Sequence, residues 1–154
     1  MAIGIPPLGN SNIMLTPLGG IAVKLINKTG AASIKGLLLN TEASIDDAVN
    51  IVNSTVDEPD IIGVFLESGI ADGDLAWVVV QGKAEMLIED GTISTRGYWC
   101  RTSVAQDGRA DITNAVPPGG TINAIDGHFR EIGHCIESKI SGTNVLAKVI
   151  LHFN

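Results

Sequence analysis

The chain has 154 residues, 45% of them hydrophobic and 18% charged, with a formal net charge of −7. That length makes one domain, or two very small ones, and buries a core without help from a metal or disulfide. An acidic chain with no basic run argues against nucleic acid or an anionic membrane as partner, because both need a cationic face, and no apolar stretch is long enough to span a bilayer.

Residues 1–19, MAIGIPPLGNSNIMLTPLG, read as an extended N-terminal arm. Pro6, Pro7 and Pro17 remove backbone donors, and Gly4, Gly9 and Gly19 favour turns. A solvated tail has little use for Ile3, Ile5, Leu8, Ile13, Met14 and Leu15, so the arm is expected to lie over its own core or dock on a neighbouring subunit. It lacks the basic start and long apolar run of a signal peptide. A chain kept in the cytoplasm is expected to hold Cys100 and Cys135 as reduced thiols.

From Ile21 the pattern is that of strands. Ile21, Val23 and Leu25 alternate with Ala22 and Lys24, which predicts one buried face. A turn at Asn27–Gly30 leads to Gly36-Leu37-Leu38-Leu39, a second strand. SIDDAVNIVN predicts one short helix, with Ser44 as cap, Asp47 three residues on, and Ile45, Ala48, Val49 and Val52 on one face. IIGVFLES is a strand, ADGD a turn, and LAWVVVQG a strand. GKAEMLIEDGT sets Ala84, Met86 and Ile88 against Lys83, Glu85, Leu87 and Glu89. Arg96–Arg101 is a short strand, and residues 106–127 read as one long loop. EIGHCIES, SGTN and VLAKVILHF close the chain as strand, turn and strand. Short strands with a turn every ten residues or so predict an all-β sandwich or barrel.

Two phrases are nearly identical. IGVFLES begins at Ile62 and IGHCIES at Ile132. Each is followed by a turn and an apolar strand. Upstream, Leu25–Gly30 with Gly36–Leu39 echoes Leu87–Gly91 with Gly97–Cys100. The order of parts is the same in both halves, so the chain is read as two copies of one β unit, residues 20–82 and 83–154, packed on each other as one body.

The second phrase carries His134 and Cys135 where the first carries Val64 and Phe65. Adjacent strand residues point to opposite faces, so these two cannot act as nucleophile and base on each other. No turn or helix N-terminus near Cys100 would lower its pKa. His128, His134, Cys135 and His152 are metal-ligand types, but their spacing matches no zinc pattern. Asp72-Gly73-Asp74 and Asp107–Asp111 read as turns, since calcium needs more oxygen ligands at a different spacing. The residues therefore predict no catalytic residue, no cofactor and no metal site.

Residues 76–153 resemble a known family. AWVVVQGKAEMLIEDGT, RGYWCRTS, DGRAD, the PPGG loop, HFREIGHCIES and KVILHFN are similar to the head decoration, or capsid cement, proteins of tailed bacteriophages. The resemblance implies an all-β, compact β-barrel or β-tulip-like fold. It implies a structural protein rather than an enzyme, bound to the outer surface of the phage head, with the major capsid protein as partner and a homotrimer as its state. A virion tail-tube, connector or spike protein is the alternative, and a small β-barrel ligand-binding or enzymatic domain a further one. On the cement reading, Ile3, Ile5, Pro6, Pro7 and Leu8 are the expected contacts with the shell and with neighbouring subunits.

Overall fold

The computed structural model describes residues 12–54, 60–114 and 131–152. Ten strands make one continuous sheet: β1 (Ile13–Leu15), β2 (Gly20–Asn27), β3 (Leu38–Thr41), β4 (Ala48–Ile51), β5 (Ile61–Phe65), β6 (Leu75–Leu87), β7 (Trp99–Thr102), β8 (Ala110–Thr113), β9 (Gly133–Cys135) and β10 (Leu146–Leu151). The order is β1-β2-β4-β3-β5-β6-β10-β9-β7-β8, and β2 also pairs with β6. That extra pairing closes β2, β4, β3, β5 and β6 into a five-stranded barrel, which leaves those strands no open edge. The fold is all-β, and the described residues contain no helix.

β6 is 13 residues long and belongs to both halves. Its first part pairs with β2 and β5, and its second part, from Gly82 onward, pairs with β10. It runs straight through the boundary expected between residues 82 and 83. Past its end, Ile88 forms a parallel bridge with Ala110 of β8. The strands β10, β9, β7 and β8 are thereby returned to the strand they started from.

The two sets of strands match bond for bond. Leu38 and Leu39 stand opposite Val64 and Gly63, as Trp99 and Cys100 stand opposite His134 and Gly133. Val64 and Phe65 face Val79 and Val78, as His134 and Cys135 face Ile150 and Val149. The Gly36 N–H donates to the Phe65 carbonyl at 2.8 Å, and the Gly97 N–H to that of Cys135 at 2.8 Å. The parallel pairs correspond too, Asn27 with Val49 and Ile88 with Ala110.

Two apolar clusters form the core. Leu39, Val49, Phe65, Ala76 and Val78 make up one, within the closed barrel. The other joins Ala84, Met86, Ile88, Cys100, Cys135, Ala147 and Val149 to Leu38, Val64 and Val79. The last three alternate with barrel-interior residues along their strands, so they face outward from the barrel. The outer wall of the first half is thus the surface on which the second half packs.

Three expectations change. Residues 44–53 form a turn and β4, not a helix. Asp47 takes φ 55°, which no helix interior accommodates. The helical spacing of Ala48, Val49 and Val52 arises because this segment is buried on both sides, Val49 of β4 in one cluster and Val52, just past the end of β4, in the other. Within 106–127, Ala110–Thr113 is strand β8 rather than loop. In β2 the fully buried apolar residue is Ala22, whereas Ile21 is exposed and Val23 and Leu25 are half-buried. β2 keeps its alternation, with Ala22 on the buried side and Ile21 on the other; the extra residue of the β2–β6 register irregularity at Ile21/Ala22 is Val80 of β6.

Of the arm, Ile13–Leu15 pairs with β2 of its own chain, Ile13 opposite Val23 and Leu15 opposite Ile21. Ile3, Ile5, Pro6, Pro7 and Leu8 lie outside the described residues.

Candidate functional site

The chemically distinctive side chains meet where β9 lies between β7 and β10. β9 is short, and alternation sends His134 outward and Cys135 inward. The structure thus keeps His134 and Cys135 apart, as their adjacency requires, and gives each a different partner.

On the outer side, the pairing of β9 with β10 brings His152, just past the end of β10, alongside His134. Nδ1 of His134 and Nε2 of His152 are 2.9 Å apart. The rings stack at 27° with centroids 5.1 Å apart. Beneath them lies Glu131, only 6% exposed. Its Oε1 is 3.0 Å from His134 Nδ1 and 3.4 Å from His152 Nε2. A carboxylate and two imidazoles therefore aim one atom each at a common point.

On the inner side, Cys100 of β7 and Cys135 of β9 touch, Sγ to Sγ, at 3.5 Å, and both are free and buried. Either thiol can donate in this contact, and donation from Cys100 lowers the Cys135 pKa to about 7 against the opposing effect of burial. The Thr95 N–H adds to the lowering. Cys100 goes the other way, well above its ordinary value, because it supplies that hydrogen bond, is buried, and lies near the Cys135, Glu131 and Asp111 charges.

The acidic turns are occupied by structure. Asp72 accepts from the Gly30 N–H at 2.8 Å and pairs with Lys28. Asp107 accepts from the Ser54 N–H at 2.8 Å, and Asp111 pairs with Arg101 at 2.8 Å. A separate cleft lies between the β1–β2 turn and β6, lined by Pro17, Leu18, Phe65 and Val79 with Lys35 and Lys83 at its rim. Lys35 is paired with Glu85.

Sequence reasoning named His134, Cys135 and His152 as ligand types but missed Glu131. The signal was the Glu-x-x-His spacing. In a regular strand, residues three apart point to opposite faces. Here Glu131 and Ile132 precede β9, and the chain turns Glu131 to the side of His134. His128 lies outside the described residues.

No protein-family model matches the chain, and no curated protein sequence matches it. The fold is similar to a solved structure described as the head fiber gp8.5 N base in bacteriophage phi29. The TM-score is 0.50 and the identity 18%, over 85% of this chain and 92% of that one.

Proposed function

We propose that the chain is a structural component of a phage virion, a decoration protein on the outer surface of the head. Its partners are the major capsid protein and further copies of itself, as a homotrimer. The observation that carries this reading is the fold likeness to the phi29 head fiber base, which extends over nearly all of that chain. The body is read as two copies of one β unit, on the matched registers and hydrogen bonds of the two halves.

The surface supports the reading. β1 pairs on one side only among the described residues. Ile13, Leu15 and Ile21 are exposed on one face of the β1–β2 pair, with Ile13 and Leu15 at 61% and 79%. Cross-strand apolar neighbours left in water mark a contact surface. Ile3, Ile5, Pro6, Pro7 and Leu8 precede this edge strand in the sequence, and a strand edge can accept a neighbour's strand. Repetition around a shell turns individually weak contacts into firm attachment without a catalytic site.

The test is native mass by light scattering, followed by co-sedimentation with expanded phage heads that lack the protein. A particle near three times the 16.1 kDa chain that binds heads fits the proposal. Removing residues 2–11, which spares β1, should abolish binding and leave the barrel folded. A soluble ring of six or more copies would point instead to a tail-tube or connector role. A monomer that ignores heads overturns the reading.

A further inference from the structure

We propose that Glu131, His134 and His152 form a binding site for one divalent transition-metal ion, of the class that accepts imidazole and carboxylate together. The site stands independently of the virion role.

The first argument is geometric. Donor atoms about 2.0–2.1 Å from a zinc ion stand about 2.9 Å apart in octahedral and about 3.3 Å apart in tetrahedral coordination. The three separations between Oε1, Nδ1 and Nε2 are 2.9, 3.0 and 3.4 Å. One ion can therefore reach all three atoms with the side chains where they are. The remaining positions open to solvent, because His134 and His152 are partly exposed.

The second argument concerns protons. An ionised carboxylate only accepts, and a neutral imidazole has one N–H. Three atoms in mutual contact need more hydrogens between them than two neutral rings direct to that point. A cation in their midst satisfies all three lone pairs at once. The donor set, two imidazoles and one carboxylate, suits zinc and its neighbours better than calcium or magnesium, which prefer oxygen alone.

The third argument is an internal control. The matched positions in the first half are Ile61, Val64 and Gln81. Ile61 and Val64 are buried in the core. The same backbone arrangement thus needs neither a carboxylate nor an imidazole there. A bound ion would tie the approach to β9 to the exit from β10 at the outer wall of the second half.

The experiment uses the full chain, stripped with chelator and dialysed against Zn²⁺, with metal counted by mass spectrometry and unfolding followed by heat. The expected result is one zinc per chain and a melting temperature that rises with zinc and falls back with chelator. His134→Val, which installs the residue of the first half, and His152→Gln should each weaken binding more than about tenfold. Both rings also contact buried Glu131, so the metal-free melting temperature is recorded for each variant, and the deciding result is loss of the zinc-dependent rise above it. Bound Co²⁺ should show no thiolate charge-transfer band, which separates this site from Cys100 and Cys135. Uptake below one ion per chain overturns the proposal. So does uptake that survives both histidine substitutions, or that is lost on Cys135→Ser alone.

Discussion

Gly63 and Gly133 occupy the same place in the two halves, each set against a backbone carbonyl of the next strand. A Cβ on Gly63 would overlap the Val79 carbonyl oxygen, and one on Gly133 that of Ile150. Val79 and Ile150 are themselves matched, standing opposite Val64 and His134. The glycine of each echoed phrase is therefore there for close approach. Gly63→Ala and Gly133→Ala should each cost about 1–3 kcal/mol, since the obstacle is backbone and cannot rotate away. Urea unfolding of the two variants checks this, and a loss at one position only would break the equivalence.

The last two letters of the echo have their own role. Ser68 Oγ accepts from the Lys35 N–H, and Ser138 Oγ from the Arg96 N–H. Buried Ser33 and Ser94 donate in turn to the carbonyls of Glu67 and Glu137. These crossed bonds pin the end of each phrase to the approach of the preceding Gly-strand. Ser33→Ala and Ser94→Ala should each destabilise by about 1–2 kcal/mol, because a buried hydroxyl bond is lost without replacement. Equal losses in equilibrium unfolding are expected, and no loss at either site would show the bonds to be idle.

Asp47 marks where the helical reading of SIDDAVNIVN fails. Its φ of 55° lies in the left-handed region, which Asp tolerates and β-branched residues do not. The backbone turns there so that the Asp47 carbonyl accepts from the Ile26 N–H at 2.8 Å, which starts the parallel pairing of β4 with β2. Asp47→Gly should be neutral or slightly stabilising, and Asp47→Val should cost about 1–2 kcal/mol. A helical segment would give the reverse order, since glycine is the poorer helix former.

Most of the strands were legible because alternation and turn residues are local signals. Ala84, Met86 and Ile88 alternate as read and are all buried. The pattern misled where a segment is buried on both faces. β4 with Val52 just past its end looked helical because the two sides of this segment face different clusters, a fact of tertiary packing invisible in ten residues. β8 was lost inside a long loop because Ala110–Thr113 is short and holds only Ala110 and Ile112 as inward residues. His134 stood out by contrast with Val64. Glu131 did not, since its burial depends on the chain bending just before β9 and on His152 arriving from the far end of the sequence.

Asp90 links three turns of the second half. Its Oδ1 accepts from the Asn144 N–H at 2.8 Å and from Arg109 at 3.0 Å, and Gln106 bonds its Oδ2. The Asn144 N–H, with Gln106 and Arg109, holds its carboxyl below the usual value of 3.8. A lowered native pKa means that the folded chain binds fewer protons than the unfolded one. The stabilisation is therefore present above the unfolded value and lost as pH falls through the folded one. Asp90→Asn should lower the melting temperature at pH 7 and converge with the parent as pH falls through the lowered folded value, below which both side chains are neutral. A pH-independent gap would mean that shape, not charge, is what the turn requires.

Cys100 and Cys135 are in van der Waals contact as thiols, and Cys135 is the readier nucleophile because its partner's S–H stabilises the thiolate. Diamide should convert the pair to a disulfide, with two protons and two electrons passing to the oxidant. Mass spectrometry would record a loss of about 2 Da, restored by reductant. The thiolate is the reacting species, so the rate should climb with pH and level off above about 7, near the lowered pKa of Cys135. Both sulfurs are buried, so oxidation should also quicken with temperature as β9 opens from β7. Cys100→Ser and Cys135→Ser should each abolish the intramolecular product. A rate still rising tenfold per pH unit at pH 8.5 would show that Cys135 titrates as an ordinary thiol and that the hydrogen bond from Cys100 does not form.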